Sequence, residues 1–243
     1  MEEQWEEKSK ATCSPTIVMG TCSWTDQTLL RCGRFYPPRV TSALDRLKYY
    51  ASKLPCVEID SSNYAIPPYE RCRGWASVAP ADFIFHVKAF TMFTQQKVFS
   101  SITSNFDETE FILLHIVIHF VIFLFEKADT GTLPVAIRNL LPSHLQSQES
   151  IAWKELSKEL QDQLWDNFNA CLEALGDKVG VVLFQWMASF RPSEANKAYM
   201  LSCQRRLPKG VIMAVEFRSH HWYSPDKVQP PKDPPQQPQQ PQL

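Results

Sequence analysis

Apolar and polar positions alternate along this chain with two different periods, and the periods take turns. From Cys56 onward Val57 and Ile59 alternate with Glu58 and Asp60. Across residues 82–89, Phe83, Phe85 and Val87 alternate with Ile84, His86 and Lys88. A period of two is that of a β-strand. Residues 17–24 and 179–186 are apolar runs of strand length, and 210–218 sets Ile212, Ala214, Glu216 and Arg218 on one side. Between these stretches the period lengthens. Residues 43–54 place Leu44, Leu47 and Ala51 on one helical face behind a capping Thr41 or Ser42, and residues 69–78 follow Pro67-Pro68 as a second helix. Residues 156–175 form a long amphipathic helix, and Ser193 caps another that runs to about Arg205. Strand-helix units repeated in this way predict an α/β fold, a parallel sheet covered by helices.

The polar members of the strands carry the candidate chemistry. A strand with two carboxylates on one side, Glu58 and Asp60, cannot turn that side into an oily core, because burying an unpaired carboxylate costs several kcal/mol or forces it to take up a proton. Ser23, Asp60, Lys88, Gln185, Glu216 and Arg218 all fall near strand C-terminal ends, where barrels and open α/β sheets keep their sites. In the functional reading, Glu58 and Glu216 act as general acid or base and Lys88 is the third catalytic candidate. Asp60, Gln185 and Arg218 bind substrate, with Trp24, Tyr64 and Trp222 lining the cavity. The ligand expected there is small and polar or anionic. In the structural reading the same charges form an internal network that balances itself. A metal held by Glu58, Glu216 and His86 is a variant of the first reading; no metal or cofactor is assigned, and no phosphate loop, nucleophile elbow or zinc pattern occurs.

Composition narrows the setting. With 243 residues and a formal net charge of -1 the chain has no basic footprint for nucleic acid. Seven cysteines, Cys13, Cys22, Cys32, Cys56, Cys72, Cys171 and Cys203, form no CxxC pair and follow no secretory signal. They are read as reduced thiols in a cytoplasmic protein. Residues 1–14 are rich in Glu and Lys and predict a flexible lead-in. Residues 229–243 are almost entirely Pro and Gln and predict a disordered tail, which a proline-recognition module could bind.

Several motifs together resemble one family. Gly20-Thr21-Cys22-Ser23-Trp24, Gly33-Arg34-Phe35-Tyr36-Pro37 and Arg46-Leu47-Lys48-Tyr49-Tyr50-Ala51 are similar to the opening of the DUF72 (YecE-like) family. Val57-Glu58-Ile59-Asp60-Ser61-Ser62-Asn63-Tyr64, Phe83-Ile84-Phe85-His86-Val87-Lys88-Ala89-Phe90, Leu183-Phe184-Gln185-Trp186 and Ala214-Val215-Glu216-Phe217-Arg218 follow in its order. The resemblance implies a TIM-type (β/α) barrel and supplies no activity. Two departures stand out. Only about five of eight strand-helix units are countable before the Pro/Gln tail, so an incomplete barrel is expected over residues 15–228. Residues 95–127 also interrupt the family pattern, with the apolar run 111–125 at their centre. That run is too short to span a membrane, which takes about twenty apolar residues. His115 and His119 stand four apart within it, without the Glu of an HExxH motif or a third ligand. A buried helix or strand is one account of it. The preferred one is T-rich noncoding DNA read as exon, since Phe, Leu, Ile and Val share codons with a central thymine. Two functions remain: an enzyme or binder acting on a small polar or anionic substrate, and a truncated or mis-spliced product without activity.

Overall fold

The computed structural model describes residues 17–95, 98–99, 131–146, 148 and 150–223. The lead-in, the tail, the apolar run 111–125 with His115 and His119, and Cys13 lie outside the described residues.

Five parallel strands form the main sheet in the order β1-β2-β3-β7-β8. They are β1 Gly20–Cys22, β2 Cys56–Ile59, β3 Ile84–Lys88, β7 Val179–Trp186 and β8 Ile212–Phe217. The small strands β4 Val98–Phe99, β5 Gly131–Thr132 and β6 Ser150–Ile151 make a second sheet, β4 lying parallel to β5 and antiparallel to β6. The helices are α1 Gln27–Arg31, α2 Ala43–Ala51, α3 Tyr69–Val78, α4 Val135–Leu140, α5 Ser143–Gln146, α6 Lys158–Leu175 and α7 Glu194–Arg206.

Caps set the helix starts. Ser42, Ser157 and Ser193 each accept a backbone N–H of the first turn, from Asp45, Leu160 and Asn196, satisfying a donor that the helix leaves unpaired. Helix α2 stops at Ala51, three residues short of the expected 54, because Pro55 follows closely and keeps its predecessor out of helical conformation. Leu44, expected on the packed face of α2, is 44% exposed, whereas Leu47 is fully buried.

One face of the sheet packs on helices. Val57, Phe85, Val87, Val182, Phe184 and Trp186 are all buried there in a core shared with α2, α3, α6 and α7, each contributing about 1.5–3 kcal/mol by leaving water. Phe93, in the 3-10 turn Thr91–Thr94, stacks on Trp165 of α6 at 3.9 Å between ring centres. The strands alternate as their pattern predicts, so Glu58, Ile84, His86, Val181, Leu183 and Gln185 turn to the opposite face and are only partly buried. Strands β1 and β8 end the sheet order. On β8, Ile212 is 61% and Val215 41% exposed. Gly20 is required where β1 meets β2: a Cβ there would lie 2.2 Å from the Cys56 carbonyl oxygen.

Candidate functional site

Register places the polar strand residues on one face. Cys22 pairs with Glu58, and Glu58 with His86. Lys88 pairs with Leu183, Leu183 with Ala214, and Gln185 with Glu216. Partners in a parallel ladder point the same way, as do residues two apart on one strand. Glu58, His86, Lys88, Gln185 and Glu216 therefore share the face turned away from α2, α3 and α6.

Their contacts divide them into two groups. The first sits at the ends of β2 and β3. Lys88 is 8% exposed, and its Nζ lies 2.9 Å from Oδ1 of Asp60. Asp60 opens the 3-10 turn Asp60–Asn63, and two buried residues of that turn fasten it to the next strand. Ser62 Oγ lies 2.6 Å from the Ile59 carbonyl and 2.6 Å from that of Lys88, and Asn63 Nδ2 donates to the Ala89 carbonyl at 2.9 Å. These bonds hold the Asp60 carboxylate over the Lys88 ammonium. On the other side of Glu58, burial pushes the Cys22 thiol up, and the Glu58 carboxylate that accepts its S–H pushes it further. The next residue, Ser23, takes a left-handed backbone with φ 74 and donates its N–H to the Glu58 carbonyl at 2.9 Å. A serine there carries strain, of a kind that gathers at functional sites.

The second group sits at the ends of β7 and β8. Gln185 Nε2 donates to Glu216 Oε1 at 2.7 Å, and Arg218 Nε lies 3.6 Å from the same oxygen. The side chains of Glu216 and Arg218 are 46% and 43% exposed, so this pair is open to solvent.

The three aromatics expected to line the site lie in different surroundings. Trp24 is buried, donates its indole N–H to the Ala43 carbonyl at 3.0 Å and meets Trp75 edge-on. It lines, with Asp60, Leu44 and Arg71, a cavity of about 340 Å³ beside the end of β2. Trp222 stacks on Phe217 at 4.2 Å and donates to the Phe190 carbonyl at 2.7 Å, so it caps the helix-facing side of β8. Tyr64 is 36% exposed just after the Asp60–Asn63 turn. Among the described residues no three His, Cys, Asp or Glu side chains gather as a metal site would need. In the variant with Glu58 and His86, Glu216 lies two strands beyond His86 and bonds Gln185 instead.

Cys22, Ser62 and Asn63 are the members of the site that sequence reasoning missed. A short polar Ser-Ser-Asn run directly after a strand was the available signal for the last two, since such side chains bond nearby carbonyls.

A parallel five-strand sheet with helices packed on it, and charged residues at its strand ends, defines the molecule as an α/β protein. The chain belongs to the family described as "Protein of unknown function DUF72", whose profile matches residues 18–229. It is 24% identical over 211 residues to the UPF0759 protein YunF of Bacillus subtilis, covering 86% of this chain and 53% of that protein. The chain thus spans about half the length of that relative. Among solved structures it resembles a DUF72 family protein (TM1631) from Thermotoga maritima, with a TM-score of 0.50 and 19% identity over 87% of this chain and 59% of the other. A second, a DUF72 family protein (EF0366) from Enterococcus faecalis, gives a TM-score of 0.47 at 22% identity, over 76% of this chain and 53% of the other. Among the described residues no helix is long and apolar enough to cross a membrane.

Proposed function

We propose that the face carrying Glu58, Asp60, Lys88, Gln185, Glu216 and Arg218 binds a small polar or anionic molecule, within a sheet that is part of a (β/α) barrel. Glu58 is the general base or acid of this reading. The observation that supports it is the grouping of Glu58, Lys88 and Glu216 on one face, with Asp60 and Arg218 paired to them just past the strand C-terminal ends. Pairing seldom repays the full desolvation of buried charges, so such a grouping is a poor stabiliser and a good cradle for a polar molecule that completes the pairing. Three carboxylates against Lys88 and Arg218 leave an excess of acceptors, which suits a ligand rich in donors.

The test is thermal-shift and calorimetric screening of the full chain against monosaccharides, polyols, hydroxy acids and their phosphates. Glu58→Gln and Arg218→Ala should abolish the binding found, while leaving unfolding free energy within about 1 kcal/mol. If both variants instead lose several kcal/mol of stability, the charges are an ion network that serves the fold.

A further inference from the structure

The ladder between β3 and β7 has one irregularity. Phe85 pairs with Val179 and Val87 with Val182, so two residues advance on β3 while three advance on β7. The extra residue on β7 is a β-bulge, a feature that re-aims side chains near functional sites. Here it brings the Val181 backbone N–H to the His86 ring, which accepts it at Nδ1 over 3.3 Å. It also lays the ring against Gly180: a Cβ there would fall 2.6 Å from Cε1 and Nδ1 of His86, and 2.6 Å from Cγ2 of Ile84. Only glycine leaves room for the ring in that place.

An imidazole nitrogen that accepts a backbone N–H cannot itself carry a proton. The proton of His86 must then sit on Nε2, and the ring must be neutral. Glu58 is the register partner of His86 on the neighbouring strand, about 4.8 Å away along the hydrogen-bonding direction, and it presents an acceptor. The described charged and titratable groups around the ring are Glu58 and Cys22 on the β2 and β1 side, then Asp60 and Lys88, which are paired with each other. β7 contributes only Gly180 and Val181 at this level. Burial pulls the His86 pKa below its ordinary value, and the Glu58 carboxylate opposes this.

We infer that His86 is a fixed hydrogen-bond donor of the site, neutral with its proton on Nε2, and that together with Glu58 it seats an alcohol hydroxyl of a neutral, polyhydroxylated ligand. The hydroxyl donates to the Glu58 carboxylate and accepts from Nε2–H. A phosphate is an anion and would meet two carboxylates against one ammonium in this half of the site. Gly180 is a positioning residue that acts through the ring. The inference rests on the ligand-site reading above for its choice of ligand, but not for the state of the ring.

The test is a long-range proton–nitrogen correlation spectrum of the full chain labelled with 15N-histidine, the His86 signals being assigned by their loss in His86→Gln. At pH 7 the wild type should show a protonated Nε2, an unprotonated Nδ1 and a titration midpoint below 6.5. In Gly180→Ala the ring loses its place, and the midpoint should return toward the ordinary value; a circular dichroism spectrum like that of the wild type shows that the variant has folded. Sorbitol, glucose and xylose should shift the Nε2 resonance, inorganic phosphate should not, and His86→Gln, whose amide donates from a similar position, should bind the polyols better than His86→Ala. A proton on Nδ1, or a cationic ring at pH 7, would overturn the inference outright. Should Gly180→Ala fail to fold, the wild-type spectrum alone decides the tautomer. A shift with phosphate and none with the polyols would overturn the ligand class. An unresponsive ring with the expected tautomer would defeat the ligand-site reading and leave the bulge as a packing device.

Discussion

The two ends of the charged face use the same chemistry in different surroundings. At β2 and β3 the cation is nearly sealed: Lys88 is 8% exposed, and Ser62 and Asn63 lock the turn that carries its partner Asp60. At β7 and β8 the cation and its partner Glu216 are both more than two-fifths exposed at the side chain, on a strand that ends the sheet order. Water screens both partners of the second pair and reaches the first mainly through the Asp60 carboxylate, whose side chain is 31% exposed. The Asp60–Lys88 pair is thus part of the architecture as well as of the candidate site, whereas Glu216 and Arg218 are solvated and contribute little to holding the sheet.

The largest test of that contrast is Lys88→Met. It leaves the partly shielded Asp60 carboxylate without its cation, and chemical denaturation should show a loss of about 2–3 kcal/mol, below the figure for a fully buried pair because Asp60 keeps some water. A loss under about 0.5 kcal/mol would make the two ends alike. Next is Ser62→Ala, which strips the Ile59 and Lys88 carbonyls of a buried donor and should cost about 1–2 kcal/mol by the same measurement. A smaller effect comes from pH. The folded pKa of His86 lies below its ordinary 6.5, so the unfolded chain takes up this proton first. The contribution is fully present above about pH 6.5 and declines as pH falls below it. The stability profile of His86→Gln should lack that decline. Arg218→Ala, in the solvated group, should change stability by no more than about 0.5 kcal/mol. The mildest probe is alkylation of the native chain. Cys22 and Cys32 are exposed and should react, Cys22 sluggishly because partial desolvation of its thiol and the Glu58 carboxylate hold it protonated, while Cys56, Cys72, Cys171 and Cys203 should react only after unfolding.

Much of the main sheet was legible in the sequence. Val179–Trp186 is an apolar run of strand length broken only near its end by Gln185, and Tyr69–Val78 is fenced by Pro67-Pro68 and Pro80; both lie where the pattern puts them. The faces of β2 and β3 were equally readable from alternation. Leu44 was misplaced because a helical stripe gives a direction and not the extent of the layer that covers it. Helices α4 and α5 and the small sheet escaped because their elements are two to six residues long, too short for a period to show. The candidate site was proposed from the sequence as a set of polar strand-end residues, and its arrangement was illegible. Nothing local says that Cys22 lies beside Glu58, or that a bulge at Gly180 turns the His86 ring onto the Val181 amide; those facts belong to register between distant strands.

Strands β3 and β7 are neighbours although Lys88 and Val179 stand far apart in the chain. Their junction is fastened from both sides: the Ala89 N–H reaches the Leu183 carbonyl at 2.8 Å, and Lys178 Nζ reaches the carbonyls of Ala76 and Ala79 at 2.6 and 2.8 Å. The excursion between them, which carries the small sheet and helices α4, α5 and α6, is therefore closed at its root. The entropy of closing a loop grows only with the logarithm of its length, about 0.6 kcal/mol for each doubling. Residues can be added to this crossover over evolutionary time with little penalty to the sheet, so long as the clasp formed by Lys178 and Ala89 is inherited intact.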